Sequence, residues 1–486
     1  LVRMAEIETD STVRAKLLYT AALIRSEELG HTTEAADLLE RVLDESPDMT
    51  PAFEALEKLH RDQGDWTELA RSYRRMIRRL PAEGMNELRL KLWSELGELA
   101  LKRLRDKDMA LAAFEVAASL DPTDIRRQEA LAELYVQLGP AARDKAIAAH
   151  QHLITRNPNR LASYRALAKL YGEGQEFDKH WCVAATLSFL GKADATLEAT
   201  FQRHRPPQLR AVRRRFNEEV WQRLLHPDED RLLDTLFVLT GAYLAVPVAR
   251  THAAVGLRRK KRVDFTTDTR LQARALVRVA ETLDLPAPDL FFVETEGADT
   301  AILNLQEKGV LTPALLLGPA TLRRHDDYEL VFDLTKRMAF MRPERLLRWA
   351  LGTPAALDVA LRVALALGGV SIAPGPQNAE VTRLTDYLRR TVAPQTIEQL
   401  GVVAPKFAAA HGDTFDFEKW LVATDLSAAR AALVVTGDLW AAARVISSEP
   451  AAATSLGVKD RLKDLIAFSV SEEYFICRRL LGLDVS

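Results

Sequence analysis

The sequence contains little cysteine: Cys182 and Cys477 are the two among 486 residues, and neither belongs to a CxxC pair. Two isolated thiols exclude a disulfide framework and argue against a cysteine-rich zinc site. This usage is typical of a reducing compartment, so we expect a cytoplasmic protein. The start, LVRMAEIETD, lacks an initiator Met and a basic-then-apolar signal segment, so we expect a fragment of a longer protein.

The chain also lacks an excess of either charge and a long apolar run. It has 66 Lys and Arg against 68 Asp and Glu, a net charge of −2, which gives no overall attraction to nucleic acid or anionic membranes. The most apolar windows are 232–249 and 356–373, and both contain charged residues. Because a membrane span needs about 20 continuous apolar residues, we predict that both are buried core helices.

Common catalytic motifs are absent from the sequence. It has no GxSxG elbow, no GxxxxGK[ST] loop and no GxGxxG after a strand, so hydrolase, nucleotide and dinucleotide functions lack support. The histidines of the second half show no HxxxH or HxH spacing: His204, His226, His252, His325 and His411. We therefore expect no metal and no cofactor.

The first part of the chain is repetitive. Between Pro51 and Pro81, apolar residues at helical spacing precede a Gly-Asp-Trp break, and a second apolar stripe follows it before the closing proline. Closing prolines recur at positions 47, 81, 122 and 158, which are 34, 41 and 36 residues apart. The pattern predicts stacked helix pairs that bury their apolar faces against neighbouring pairs.

This pattern resembles the tetratricopeptide repeat. The framework residues that carry the resemblance are Leu56, Gly64, Trp66, Tyr73, Pro81, Pro122 and Pro158. Second-helix positions repeat at Ala35, Leu39, Val42; Ala110, Phe114, Ala117; and Ala146, His150, Leu153, and a fifth unit starts near Tyr164. The resemblance implies a superhelix of about five repeats over residues 1–192, with a concave face that binds a protein or peptide.

A basic segment follows the repeats. Residues 193–229 form a predicted linker in which QLRAVRRRFNEEVWQRLL indicates an amphipathic helix with Leu209, Val212, Phe216, Val220 and Leu224 on one side. Two basic clusters stand out, the first at Arg210, Arg213, Arg214 and Arg215 and the second beginning at Arg258 and Arg259. Basic clusters can follow phosphates, but no nucleic-acid motif accompanies them, so solvated or interdomain charge is the favoured interpretation.

Residues 230–486 have a different character. The runs PDLFFVETEGADTAILNL and TPALLLGPATL are short, apolar and bounded by Pro or Gly, which predicts two adjacent strands. Helical patterns resume at DDYELVFDLTKRMAFMRPERLLRWAL. We predict a mainly α protein, in which a tetratricopeptide α-solenoid precedes an α+β, mostly helical domain.

The order of helix, strands and helix over roughly 230–450 resembles the HtpX-like, or Ste24-type, zinc metallopeptidases. Aligning the helix flanks places Lys336 at the first His, Arg337 at the catalytic Glu and Phe340 at the second His. The later segment WLVATDLSAARAALVVTGDLWAAARVI places Asp425 at the third ligand, a Glu, and Ala429 at the following Asp. An ammonium, a guanidinium and a phenyl ring cannot hold Zn²⁺, so the resemblance implies a pseudopeptidase without metal.

We therefore predict a non-enzymatic bacterial scaffold that binds partner proteins through its repeats, with the degenerate peptidase-like domain as a second interaction module. Its Ala, Arg and Leu usage is compatible with a high-GC bacterial source. Three alternatives stay open: a helical domain with an accidental likeness to peptidases, a divergent zinc peptidase whose ligands are misaligned, and a nucleic-acid-binding adaptor that uses the basic clusters. The identity of the partner and the oligomeric state cannot be predicted.

Overall fold

The computed structural model is mainly α-helical, as predicted, and describes residues 1–81, 84–295, 300–371, 373, 375, 377–412, 414–449 and 455–485. The chain divides into two compact units, Leu1–Leu153 and Ile154–Ser486. The boundary between the units thus lies between Leu153 and Ile154, whereas the sequence predicted the end of the repeats at residue 192. The predicted fifth helix pair belongs to the second unit.

The first unit is a series of helices joined by short turns. Its helices are α1 (Val2–Ile7), α2 (Ser11–Leu23), α3 (Thr32–Glu45), α4 (Thr50–Gln63), α5 (Trp66–Arg79), α6 (Asn86–Leu99), α7 (Lys107–Leu120), α8 (Ile125–Gln137) and the start of α9 (Arg143–Arg156). Single π-helical turns extend α2 and α6, over Ile24–Glu28 and Ala100–Leu104. From α1 to α8, each helix packs against the next along the chain, which is the arrangement of a solenoid.

The pair α4 and α5 shows how the sequence sets these boundaries. Gly64 ends α4 with a φ of 68°, a left-handed conformation that glycine adopts without steric cost. Asp65 then caps α5 by accepting a hydrogen bond from the Glu68 amide. Leu56 and Tyr73 are both buried between the two helices. The pair is therefore fixed by local turn chemistry and by apolar contacts close in sequence.

The second unit begins with three helices that continue this pattern and then forms a larger helical domain. Its helices are α10 (Leu161–Glu173), α11 (Phe177–Phe189), α12 (Ala195–His204), α13 (Glu218–Leu224), α14 (Arg231–Ala245), α15 (Leu271–Leu283), α16 (Pro319–Leu322), α17 (Asp327–Ala339), α18 (Leu346–Leu351), α19 (Pro354–Leu367), α20 (Asn378–Thr391), α21 (Pro394–His411), α22 (Phe417–Thr436), α23 (Leu439–Ser448), α24 (Val458–Phe468) and α25 (Glu472–Leu481).

The helix predicted over QLRAVRRRFNEEVWQRLL is wrong in its first half. Residues 205–217 are irregular, and α13 begins only at Glu218. Tertiary hydrogen bonds replace helical ones, because the Arg213 amide donates to the Leu481 carbonyl and the Phe216 amide to the Thr282 carbonyl. A helix would also bring several arginines together at spacings where like charges repel.

One helical core of the second unit is built around α14 and α19. These two helices pack with α18, α20, α21 and the start of α22, and the core includes Phe237, Leu361, Phe407 and Trp420. Both apolar windows of the sequence thus contribute buried side chains to this core. Within the described residues, Arg231–Val248 is one segment whose length and composition would allow it to cross a membrane.

A small sheet lies beside the helices. Its strands are β1 (Asp289–Phe292), β2 (Ala301–Leu303) and β5 (Ala314–Leu317), and a separate hairpin joins β3 (Gln306–Glu307) and β4 (Val310–Leu311). β5 is central, parallel to β1 and antiparallel to β2, so the two predicted strand regions are indeed adjacent. The chain then passes from β5 through the short α16 into α17, the helix of the resemblance.

Candidate functional site: the repeat surface and the charge cluster of α17

The exposed surface of the repeats is strongly charged. On α4, Glu54, Lys58, Arg61 and Asp62 are exposed, while the opposite face is buried. Arg61 lies 2.5 Å from Glu57 on its own helix and 3.5 Å from Glu95 on α6, so it joins two neighbouring repeats. The first helices of adjacent pairs therefore present a continuous polar surface with both signs of charge.

The other predicted framework residues take structural positions. Trp66 begins α5, with the Arg103 guanidinium 4.6 Å from the centre of its ring. The closing prolines Pro81, Pro122 and Pro158 follow the ends of α5, α7 and α9 by one or two residues. Proline cannot continue a helix, so these residues separate successive pairs.

Lys336 and Asp425, two residues that the peptidase alignment places at former ligand positions, are in contact. Lys336 is on α17 and Asp425 on α22, both side chains are about 4% exposed, and Lys336 Nζ lies 2.9 Å from Asp425 Oδ1. Sequence alone gives no reason for two residues so far apart to meet except the resemblance. The 2.9 Å contact in the structure brings these two positions together.

Two residues that the sequence analysis missed complete a buried charge cluster. Lys336 Nζ also lies 2.8 Å from Glu449, just after α23, and Arg461 on α24 contacts both Asp425, at 3.0 Å, and Glu449. We call Lys336, Asp425, Glu449 and Arg461 the charge cluster. Each cation contacts both carboxylates, so the cluster is a closed ring that joins α17, α22, α24 and the end of α23.

The cations around Asp425, two of them from the charge cluster, lower the pKa of its carboxyl group. Burial would raise the pKa of this carboxyl, but the neighbouring cations Lys336, Arg461 and Arg348 outweigh it, and the pKa lies below its ordinary value. Asp425 is therefore ionised at neutral pH and fully engaged with cations. An ammonium group occupies the side of Asp425 that a metal ligand would have to leave open, so the residues present do not fit zinc.

The other three residues of the peptidase alignment have contacts outside the charge cluster. Arg337 donates to Asp333 at 2.8 Å and to the Thr300 carbonyl at 3.2 Å. Phe340 caps the end of α17, and the Arg348 guanidinium lies 4.0 Å from the centre of its ring. Ala429 is buried on α22. None of the three side chains belongs to the charge cluster.

Arg461 could have been noticed in the sequence. Arg461 precedes Leu465 and Phe468 at helical spacing, which places a cation on the apolar face of α24. Such a position is rare unless the charge is paired. Glu449 offers no comparable signal, because it lies outside regular structure. No group of three potential His, Cys, Asp or Glu ligands occurs in the part of the chain that the structure describes.

The two basic clusters differ in the surroundings of their arginine side chains. Arg210, Arg213, Arg214 and Arg215 line one cavity together with Arg278 of α15. In the second cluster, Arg259 pairs with Glu307 at 2.5 Å, and the adjacent Arg262 pairs with Asp289 at 3.1 Å. Part of the charge of the second cluster is thus neutralised within the fold.

Comparison with known proteins bears on the repeats. Residues 52–84 match the tetratricopeptide repeat family model. No curated protein matches the chain significantly. Among solved structures, the MamA protein is 17% identical over 40% of this chain and 98% of its own, with a TM-score of 0.25.

Two further structures show a likeness of the same order. YrrB, described as a TPR protein with an unusual peptide-binding site, is 15% identical over 38% of this chain and 90% of its own, with a TM-score of 0.25. A Naa15/Naa10 complex bound to HypK-THB has a chain that is 13% identical over 97% of this chain and 64% of its own, with a TM-score of 0.26. The family-model match alone identifies a tetratricopeptide repeat at the pair α4 and α5, and the resemblance of the later domain to zinc peptidases stays a prediction.

Proposed function

We propose that this protein is a non-catalytic scaffold that binds a partner protein or peptide on the exposed faces of its repeat helices. The observation that carries the proposal is the tetratricopeptide pair at residues 52–84, whose first helix buries one face and exposes Glu54, Lys58, Arg61 and Asp62 on the other. Repeats of this kind stabilise themselves through neighbour contacts and leave an extended surface free for a partner.

The chemistry of this surface favours a polar partner with charges of both signs. Arg61 is 49% exposed at its side chain although it already contacts Glu57 and Glu95, so its remaining donors are available to a carboxylate. Lys58 lies one turn and Glu54 two turns from Arg61 on the same face. A partner segment with spaced acidic and basic residues would meet complementary charge along this face.

The test is affinity capture with cross-linking on the full chain. The variant Lys58→Glu/Arg61→Glu reverses two charges on α4, and Arg74→Glu/Arg78→Glu reverses two exposed charges on the following helix as a matched control. We expect partners enriched by the native chain to be lost with the first variant and kept with the second. Equal loss with both variants, or cross-links that avoid α4 and α6, would contradict the proposal.

A second proposal concerns the later domain: residues 230–450 form a pseudopeptidase domain that acts as an interaction module. The supporting observation is the 2.9 Å contact between Lys336 and Asp425, positions that the family alignment assigns to two ligands of one metal. On this proposal an ion pair has replaced the metal and holds the same two helices together.

Elemental mass spectrometry of the purified chain, after exchange against a weak chelator, tests the second proposal. We expect far less than one equivalent of zinc, and one tightly held equivalent would favour the rival hypothesis of a divergent peptidase. The variant Lys336→His/Arg337→Glu/Phe340→His/Asp425→Glu supplies the missing groups. If the domain descends from a zinc peptidase, this variant gains zinc, and the same variant with native Phe340 gains less.

A further inference from the structure

The irregular segment 205–217 is fixed to the surface of the second unit rather than loosely attached. The Arg213 amide donates to the Leu481 carbonyl at 3.1 Å, and the Phe216 amide donates to the Thr282 carbonyl at 2.8 Å. The Phe216 ring is buried and packs against Trp221. These anchors place the intervening arginines at defined positions, between the end of α25 and the end of α15.

Two cavities adjoin along this segment. One, of about 220 Å³, is lined by five arginines, of which Arg278 comes from α15 and the others from 210–215. The other, of about 480 Å³, is lined by His204, Arg210, Arg213 and the chain end near Asp484. Arg210, Ala211 and Arg213 line both cavities, so together they form one continuous basic groove.

Most of the positive charge in this groove has no carboxylate partner among the residues that the structure describes. Arg215 pairs with Asp284 at 3.2 Å, and Arg210 Nη1 reaches only the Asp484 main-chain carbonyl, at 3.4 Å. Within the described residues, Arg213, Arg214 and Arg278 form no ion pair with a carboxylate. This contrasts with Arg259 and Arg262 of the second basic cluster, which pair with Glu307 and Asp289. The groove thus retains free guanidinium groups in a chain whose net charge is −2.

We propose that this groove binds an acidic segment of a partner protein, with Asp or Glu carboxylates pairing with Arg213, Arg214 and Arg278. A guanidinium group offers two parallel donors that match a carboxylate, so three free arginines can select an acidic peptide. The groove is distinct from the repeat surface of the first unit. It therefore adds a second binding site to the chain.

The lining favours a peptide over a nucleic acid. The described lining of both cavities contains no Phe, Tyr or Trp, the side chains on which single-stranded bases stack. Glu281 and Asp484 also lie on the lining. These carboxylates would repel a uniform row of phosphates, whereas a peptide can place neutral or basic residues beside them.

The test is fluorescence anisotropy with the full chain and a fluorescein-labelled dodecapeptide in which Asp and Glu alternate with Ser. The variant Arg214→Glu/Arg278→Glu changes two exposed groove arginines, and Arg258→Glu/Lys260→Glu makes the same change of charge in the second cluster. We expect the first variant to weaken peptide binding by about tenfold or more, because each lost guanidinium removes a charged hydrogen bond to the peptide. We expect the control to change it less than about twofold, because exposed charges outside the groove contribute little.

Several outcomes would overturn the proposal. Equal weakening by the control would indicate a general charge effect, and an absence of saturable peptide binding would exclude the site. Tighter binding of a single-stranded thymidine dodecamer than of the peptide would favour a nucleic acid instead. Circular dichroism checks that Arg214→Glu/Arg278→Glu is folded, and Arg214→Gln/Arg278→Gln, which removes charge without reversing it, must also weaken binding. The repeat variant Lys58→Glu/Arg61→Glu is expected to bind the peptide normally, so the two sites can fail independently.

Discussion

Lys336 of α17 and Asp425 of α22 form a buried ion pair, with Nζ 2.9 Å from Oδ1. The same ammonium lies 2.8 Å from Glu449, and Arg461 closes the ring on the opposite side. Taking charges out of water is costly, and such a ring compensates only while every member is present. The charge cluster therefore makes α17, α22 and α24 depend on one another.

Replacing Lys336 by Met should destabilise the second unit strongly. The substitution keeps much of the side-chain volume but leaves Arg461 as the cluster cation in direct contact with Asp425 and Glu449. We expect a loss of about 3 to 5 kcal/mol in the free energy of unfolding, measured by urea denaturation. Lys463→Met, which removes an exposed pair with Asp460, should change the denaturation midpoint little. Similar midpoints for the two variants would contradict a structural role for the cluster.

Asp234 should make stability depend on pH between about 4 and 7. Burial raises the pKa of Asp234 to about 7, with Glu229 and Glu344 adding to the effect and Arg345 and Arg342 opposing it. In the unfolded chain this carboxyl releases its proton near its ordinary pKa of 3.8, whereas the folded protein retains it until about pH 7. The free energy of unfolding contributed by this group therefore falls as pH rises through this window and is constant above it.

The variant Asp234→Asn tests whether stability falls as pH rises because of this carboxyl group. It should flatten the pH dependence between about pH 4 and 7, and raise stability at pH 8 relative to the native chain, in urea denaturation series. Asp386→Asn, which changes an exposed carboxylate 3.8 Å from Arg389, is the control and should leave the slope unchanged. A stability that rises with pH over this window in the native chain, and no longer does so in Asp234→Asn, would refute the assignment.

Two glycines of neighbouring helices should respond oppositely to alanine. A Cβ at Gly368 would lie 2.4 Å from the Ala404 Cβ and 2.6 Å from the Leu400 carbonyl oxygen, so backbone would have to move. A Cβ at Gly401 on α21 would meet no atom within 4 Å. We expect Gly368→Ala to cost about 1 to 3 kcal/mol and Gly401→Ala to gain about 0.5 to 1 kcal/mol, measured by thermal denaturation. Equal effects would mean that α19 and α21 are not in close contact.

Gly97 should be required where two repeat helices meet. A Cβ there would lie 2.6 Å from the Phe114 ring, between α6 and α7. Alanine in an exposed helix normally gains stability over glycine, but Gly97→Ala should lose about 1 to 3 kcal/mol because the ring must move. The double variant Gly97→Ala/Phe114→Leu should recover part of the loss in urea denaturation. If it instead adds a further independent loss, the two residues do not compete for space.

The repeats could be predicted from sequence because their determinants are local. Gly64 ends one helix, Asp65 caps the next, and Leu56 and Tyr73 pack across the turn, all within one repeat. The adjacency of β1 and β5 was also predictable, since each is a short apolar run bounded by Pro or Gly. In these cases propensity, turn chemistry and packing all favour the same structure.

The segment 209–217 shows where local reasoning failed. Its apolar spacing predicts a helix, yet hydrogen bonds from Arg213 and Phe216 to carbonyls distant in sequence hold it irregular. The other two members of the charge cluster were not predicted either, since Glu449 and Arg461 join Lys336 and Asp425 only through the packing of α22, α23 and α24. Pattern analysis detects which residues are apolar, but it cannot tell which charges become buried together.

The neighbour-to-neighbour packing of the first unit also sets how it opens. Since α2 and α3 contact mainly each other, α1 and α4, and α6 and α7 contact mainly each other, α5 and α8, order can be lost at one interface between pairs while the others persist. Local opening should therefore proceed pair by pair, as a graded loss of order rather than one cooperative event. A ligand that bridges α4 and α6 would suppress this local opening. Binding should therefore slow amide hydrogen exchange also in neighbouring helices that the ligand does not contact.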